Sequence, residues 1–185
     1  AAIGYLTGII SASVIEATGT GSFAGGSILD ISDATTIRAS SGGSFAFGFA
    51  RDTELLASGQ GSVALGAAGG APLRATGTAA FALGESVNAL NDNTFTLGRD
   101  FSNSVADSFA VGFGSNQLFL EGGTGNVGIG TSSPSSKLDV WGDLRVGTSS
   151  VPTLFADTST NWVGIGTTTR NFDTGATTTE RLGWA

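Results

Sequence analysis

The sequence predicts an all-β chain: a β-solenoid with 14-residue coils, followed by β-hairpin repeats. Three observations predict this fold. A pentapeptide in which large and small residues alternate returns six times along the first part of the chain. Glycine accounts for 30 of the 185 residues against 3 prolines, without the every-third-residue spacing of collagen. No segment carries apolar residues at the i, i+3, i+4, i+7 spacing of an amphipathic helix.

Residues 1–16 (AAIGYLTGIISASVIE) are apolar and predict one or two strands. They are too short and too rich in Gly, Ser and Thr for a membrane span. Two roles remain open for them. The favoured role is a strand that caps its own array, since solenoids need atypical ends. The other is a donor strand that completes the sheet of a neighbouring subunit.

The first repeat array covers residues 17–114. Its six pentapeptides begin at residues 22, 44, 62, 80, 94 and 108, so the steps are 22, 18, 18, 14 and 14 residues. Each copy is typified by Ser44-Phe45-Ala46-Phe47-Gly48, with the two large residues at alternate positions. Period two places the large residues on one face of a short strand. We expect that face to build the core shared by stacked coils.

All the variation in coil length falls at one corner of the coil, between the pentapeptide glycine and the next anchoring alanine. That corner holds 12, 8, 8, 4 and 4 residues in successive coils. Insertions at one corner emerge on a single edge, and loops on rigid scaffolds often carry function. The charged residues of the corners are therefore candidates for an attachment edge, against the alternative of a solvated surface. They are Asp30, Asp33, Arg38, Arg51, Asp52, Glu54 and Arg74.

The second region, residues 115–185, contains a different repeat. Residues 118–131 (LFLEGGTGNVGIGT) match residues 154–167 (LFADTSTNWVGIGT) at an offset of 36. Each copy predicts a hairpin: strand, acidic or glycine-rich turn, strand. Residues 137–141 and 143–146 between them predict two further strands around Gly142.

Composition excludes several classes of function. The net charge is −7 and no basic cluster exists, which argues against nucleic acid as a partner. The chain has no Cys and no His, so thiolate or imidazole metal sites are excluded and catalysis would rest on carboxylates. Glycine strings such as Gly19-Thr20-Gly21 repeat in every coil and open no helix, so they do not indicate a dinucleotide site. We expect no cofactor, no metal and no catalytic residue.

The pattern A-[ST]-G-x-G-S-[VF]-A-[LF]-G on a 14-residue step resembles the head domain of trimeric autotransporter adhesins. The resemblance covers about half the chain and implies a left-handed β-roll with three chains side by side. Two features depart from that family: coils of 18 and 22 residues, and Gly43, Gly61 and Ala79 where the family has Asn. The string 125–134 (GNVGIGTSSP), followed by KLDV at 137–140, resembles a repeat of phage tail fibres and bacterial surface proteins.

These resemblances imply a non-enzymatic extracellular fibre, on a cell surface or a virion tail, that gives structure and attachment. They imply a homotrimer or higher homopolymer with a host-surface or glycan ligand. The large apolar area of Trp141, Trp162 and Trp184 favours a place at the trimer core, against the alternative that exposed tryptophans bind sugar rings. One alternative is a subunit of an end-to-end filament that uses residues 1–16. A third is a polysaccharide depolymerase, whose acids would include Asp33 and Asp52.

Overall fold

A computed structural model describes residues 1–7, 13–29, 35–147 and 152–165. Over these residues the chain is all-β, without a helix, and forms a β-solenoid of about six turns. The predicted fold class is thus confirmed. The chain divides into two compact units, Ala1–Trp141 and Gly142–Ala185.

The first unit consists of two sheets. One has ten strands in the order β1-β3-β5-β7-β9-β11-β13-β14-β15-β16, and the other has six in the order β2-β4-β6-β8-β10-β12. In chain order the strands are β1 (Ala2–Thr7), β2 (Val14–Ala17), β3 (Phe23–Leu29), β4 (Thr36–Ala39), β5 (Phe45–Arg51), β6 (Glu54–Ala57), β7 (Val63–Ala68), β8 (Leu73–Ala75), β9 (Phe81–Glu85), β10 (Asn88–Ala89), β11 (Phe95–Arg99), β12 (Ser102–Asn103), β13 (Ser108–Phe113), β14 (Asn116–Glu121), β15 (Asn126–Ile129) and β16 (Leu138–Val140).

Successive coils stack in parallel and in exact repeat register. Phe45 pairs with Val63, Val63 with Phe81, and Phe81 with Phe95, so equivalent pentapeptide positions lie directly above one another. The predicted strands within residues 1–16 are present as β1 and β2. Strand β1 pairs with β3 of its own chain, with Ala2 opposite Ala24.

The core is built by the small residues of the pentapeptide, and the expectation that the large ones would form it was wrong. Ala46 and its equivalents are fully buried, whereas Phe47 is 46% exposed. Space explains the reversal. A short turn, five residues between β4 and β5, joins the two sheets beside the pentapeptide and holds them close together. Small side chains suit this narrow part of the core, and the buried residue here is Ala or Thr in every coil. Larger residues such as Leu55 and Leu73 enter the core from the strands that follow the corners.

In four of the six pentapeptides, those that begin at residues 22, 44, 94 and 108, the hydroxyl of the first residue fixes the turn before it. The buried Ser44 hydroxyl donates to the carbonyl of Ser41 at 2.7 Å, and the Thr94 hydroxyl donates to Asn91 at 2.7 Å. Such hydroxyl-to-backbone bonds stabilise turns and satisfy a buried polar group. The serine or threonine at this position is therefore structural.

The glycine that ends the pentapeptide is required by the stacking of coils. A Cβ built on Gly66, whose φ is +134°, would lie 1.9 Å from the carbonyl oxygen of Gly84 in the next coil. The same contact distance, 1.8 to 1.9 Å, recurs at the equivalent glycines 26, 48, 84 and 98. By contrast, Gly61 in the turn of the same coil has φ +65° and nothing within 4 Å of its Cβ position.

The last coil is followed by an antiparallel meander that closes the core. Strand β14 pairs antiparallel with β13, and β15 antiparallel with β14, as the first predicted hairpin requires. Phe119 on β14 lies opposite Ala110 and is fully buried against the core. Strand β16 then pairs in parallel with β15. The chain thus ends its stack of small core residues with one large aromatic ring.

The second unit repeats the same meander with strands β17 (Leu144–Gly147), β18 (Pro152–Asp157) and β19 (Trp162–Ile165). Phe155 takes the place of Phe119, and Arg145 the place of Ala110. The Arg145 guanidinium lies over the Phe155 ring at 5.2 Å from its centroid, and Trp162 meets that ring edge-on at 6.0 Å. An arginine and a tryptophan therefore cover the ring within this unit.

Candidate functional site

The predicted attachment edge is distributed over a corner and a sheet. Asp30 and Asp33 lie outside the described residues. Arg51 ends β5, and its guanidinium donates to the carbonyl of Gly69 in the next corner at 3.1 Å. Asp52 follows with a left-handed φ of 50°. Both residues therefore have a structural role at the corner: Arg51 ties it to the next corner, and Asp52 forms its turn.

The other three predicted residues lie on the six-stranded sheet, where two ion pairs form. Arg38 pairs with Glu16 across β4 and β2 at 3.1 Å, and Arg74 pairs with Glu54 across β8 and β6 at 3.1 Å. Each pair is partly exposed and neutralises its own charge. Within the part of the chain that is described, no group of three acidic residues is placed to hold a metal ion.

The outer surface of the ten-stranded sheet is the most distinctive surface of the first unit. We call it the apolar face. Alternation with the buried residues places a large apolar residue outward on every strand. On β3 these are Phe23 and Leu29 at its two ends, with Gly25 and Ser27 at the outward positions between them. The members of the apolar face are Ile3, Tyr5, Phe23, Leu29, Phe45, Phe47, Phe49, Val63, Leu65, Phe81, Leu83, Phe95, Leu97, Phe109, Val111, Phe113, Leu118, Leu120, Val127, Ile129, Leu138 and Val140.

Aromatic rings stack along the apolar face because equivalent residues are in register. Phe23 and Phe45 stack at 5.0 Å between ring centroids, and Phe81 and Phe95 stack at 4.6 Å. Much of the face is exposed, with Tyr5 at 69%. In the coils, the charged residues that point outward on this sheet lie only at the ends of strands, as Arg99 does at the end of β11.

The outer surface of the six-stranded sheet is polar. The column opposite the apolar face reads Glu16, Arg38, Leu56, Arg74, Asn88 and Ser102 from β2 to β12. Asn88 donates to the Ser102 hydroxyl at 3.0 Å, which continues the ladder of polar contacts. Each coil therefore has one apolar and one polar outer surface.

A hollow of about 440 Å³ opens at the margin of the apolar face, beside the last turns of the array. Phe95, Phe109, Leu120 and Val127 form its apolar floor. Its polar rim includes two carboxylates and two amides, those of Asp107, Glu121, Asn93 and Asn126. Sequence reasoning missed this site, because it needs β13, β14 and β15 side by side. The alternation Leu118-Phe119-Leu120 could have indicated it, since one buried ring forces both leucines outward.

In the second unit, hydrogen bonds perturb one carboxyl group. The Ser159 hydroxyl donates to Asp157 at 2.6 Å, and the backbone N–H of Thr160 donates to the same oxygen at 3.1 Å. The side-chain bonds from Ser159 and Thr160 stabilise the carboxylate and lower the pKa of Asp157 below 3.8. This carboxylate therefore fixes the turn between β18 and β19.

Trp141 and Trp162 have different surroundings. Trp141 in the first unit is 70% exposed, and Trp162 packs on Phe155 within its own unit. Trp184 lies outside the described residues. Their predicted position at a trimer core stays a prediction.

Comparison with known proteins finds no matching family model, no similar curated protein and no similar solved structure. Among the described residues, no helix has the length and apolarity to cross a membrane.

Proposed function

We propose that the chain is a non-enzymatic extracellular fibre protein, adhesin-like or tail-fibre-like, that assembles as a homotrimer through its apolar face. One observation carries the proposal: the large apolar residues of the repeat stand outside the solenoid. The solenoid fills its core with the small pentapeptide residues and with large residues from other positions, such as Leu55 and Leu73. The rows of phenylalanine, valine and leucine in the pentapeptides are therefore not needed inside it. Contact with another protein surface would bury these residues, and large exposed apolar patches mark such contacts.

The size of the apolar face supports this assignment. Ten strands at about 4.8 Å spacing span roughly 43 Å, and five residues of strand add a width of about 17 Å. The planar area is therefore on the order of 700 Å². That exceeds the ~300–600 Å² of the largest apolar patch on a typical monomer. It is close to the ~800 Å² that each partner buries in a stable interface.

The contrast between the two outer surfaces gives the orientation of the chains. The polar column of the six-stranded sheet suits contact with water, and the apolar face suits the axis of the assembly. Stacked parallel coils satisfy backbone hydrogen bonds along the whole length, which suits a structural role. Turns and corners remain outside the interface, where attachment to a surface or glycan would take place.

A pair of matched substitutions tests the proposal. Phe47→Glu places a carboxylate on the apolar face, where burial between chains leaves it unpaired. Leu56→Glu places the same group on the polar column, between Arg38 and Arg74 in the register. We expect Phe47→Glu to reduce the mass in solution from three times 18.3 kDa to one, and Leu56→Glu to leave it unchanged. Circular dichroism on both variants checks that the β fold is retained.

The same mass measurement separates the alternatives. A wild-type chain that stays a monomer at all concentrations overturns the proposal. A mass that grows without limit, and falls when residues 1–16 are deleted, supports the end-to-end filament instead. Cleavage of a surface polysaccharide that is lost in Asp52→Asn supports the depolymerase.

A further inference from the structure

We propose that the hollow at the margin of the apolar face binds an organic ammonium group carried on an apolar body. This goes beyond the proposed function, which assigns the apolar face to other copies of the chain and names no ligand. The floor of the hollow belongs to that face, so the proposal requires the hollow to stay open in the assembly. The hollow lies where β11 and β13 begin, at Phe95 and at Ser108 and Phe109, next to the turns that precede these strands. The centres of the same strands, at Leu97 and Val111, lie further along the face.

The shape of the hollow fits a small organic molecule. Its volume of about 440 Å³ lies in the ~300–1,000 Å³ range of ligand pockets. Its floor includes two aromatic rings, those of Phe95 and Phe109, with centroids 5.2 Å apart and planes tilted by 42°. Gly122 and Gly125 of the β14–β15 turn border the hollow without side chains to fill it. The cavity is therefore open and apolar at its base.

The charge of the rim selects a cation. Asp107 and Glu121 are the two ionisable residues that line the hollow, and neither forms an ion pair with any described residue. One Asp107 oxygen accepts from the Asn93 amide at 2.8 Å, and one Glu121 oxygen accepts from the Thr124 hydroxyl. Each carboxylate keeps a second oxygen that these bonds do not use. A ligand ammonium can pair with these oxygens while its body lies on the rings.

Aromatic rings strengthen the same preference. The face of a phenyl ring attracts an ammonium group through its quadrupole, by about 0.5–1 kcal/mol at exposed sites. One basic group close to the rim, the Lys137 ammonium, donates to the Thr124 carbonyl and approaches the Gly125 side of the rim. It does not line the hollow. The protein as a whole carries −7, which also favours a cationic ligand.

Two probes of matched shape test the proposal on the full chain in its assembled state. Phenylethylammonium carries the cation, and 2-phenylethanol is its neutral counterpart. For so small a probe we expect a dissociation constant of about 1 mM. Titration followed by NMR or calorimetry should show the ammonium binding about tenfold more tightly than the alcohol, with the difference shrinking at high salt.

Conservative variants identify the site. Asp107→Asn and Glu121→Gln should each weaken the ammonium by about three- to tenfold and leave the alcohol unchanged. Asparagine tolerates the left-handed φ of 52° at residue 107, so the first variant keeps the turn. Phe109→Leu should weaken the ammonium more than the alcohol, and the coil that carries Val63 at this position shows that a ring is not needed for folding. Glu85→Gln, at the opposite corner, is the matched control without effect.

Three results would overturn the proposal: binding of neither probe, equal binding of both, or wild-type binding by Asp107→Asn and Glu121→Gln. If a neighbouring copy of the chain fills the hollow, neither probe binds. The mass of each sample is measured in parallel, so the two proposals fail separately. A trimer that binds neither probe contradicts only the ammonium site, and a monomer that binds the ammonium contradicts only the proposed assembly.

Discussion

Replacement of Gly66 by alanine tests the stacking of the coils most sharply. A Cβ at this position would lie 1.9 Å from the Gly84 carbonyl oxygen and 2.9 Å from its carbonyl carbon. Both are backbone atoms of the next coil, so no side chain can rotate away. To remove this clash the two coils must separate by roughly 1 Å or more. Hydrogen-bonded strands lie about 4.8 Å apart, so such a shift breaks the parallel hydrogen bonds between the coils. The φ of +134° adds about 1–3 kcal/mol of backbone strain.

The free energy of unfolding should therefore fall by about 3–5 kcal/mol or more in Gly66→Ala. Gly61→Ala is the matched control, because its Cβ meets nothing within 4 Å and only the left-handed φ of +65° is strained. Its cost should be about 1–2 kcal/mol, and Ala79 already occupies the equivalent position in the next coil with φ 53°. Urea unfolding followed by circular dichroism, at one fixed protein concentration, measures both. Equal losses in the two variants would refute the close approach of the coils.

Three further predictions concern single side chains. Thr96→Val should raise the free energy of unfolding by about 1 kcal/mol, because the buried Thr96 hydroxyl has no hydrogen-bond partner among the described residues and valine keeps its shape. A lower free energy of unfolding in urea would contradict this. Phe119→Ala should cost about 3–5 kcal/mol through the cavity left at the closed end of the core, and calorimetric melting that stays at the wild-type temperature would show that the ring does not close it. NMR titration should find the pKa of Asp157 below the ordinary value of an aspartate, because hydrogen bonds from Ser159 and Thr160 stabilise its carboxylate. Since folding lowers its pKa, its contribution to the stability of the second unit is present above the unfolded pKa and is lost as pH falls through the folded one, and Asp157→Asn should remove that pH dependence.

The strands and their order could be predicted from the sequence, because each repeat contributes one strand at the same position of the coil. The repeat spacing gives the parallel register, and the alternation of Phe45, Ala46 and Phe47 gives short strands with two distinct faces. The 36-residue offset gives the hairpins β14–β15 and β18–β19. Each of these features depends on local pattern alone, so it needs no knowledge of what packs against what.

The direction of the faces could not be predicted in the same way. Alternation says that Ala46 and Phe47 point to opposite sides, but not which side is the core. Hydrophobicity favours the phenylalanine as the core residue, and the narrow gap between two sheets joined by short turns favours the alanine. The structure buries Ala46 and leaves Phe47 46% exposed. The hollow beside Phe109 depended on this outcome, because its floor exists only when the large residues point outward.

The pairing of the corner charges was also beyond the sequence pattern. Arg38 and Glu16 lie 22 residues apart, and Arg74 and Glu54 lie 20 apart. These separations become contacts only once the register of the six-stranded sheet is known. Of the predicted edge residues that the structure describes, Arg51 and Asp52 lie at a corner, and Arg38, Glu54 and Arg74 take part in two ion pairs. Their role in attachment stays a prediction.

Thiol labelling tests the central claim, that other copies of the chain cover the apolar face, most directly. The chain has no cysteine, so one can be introduced at a chosen place. F47C stands on the apolar face, where the single chain leaves Phe47 46% exposed, and L56C stands on the half-buried polar column. We expect the thiol of F47C to react much more slowly than that of L56C in native protein, and both to react equally in denaturant. Equal labelling of the two native variants would contradict the claim.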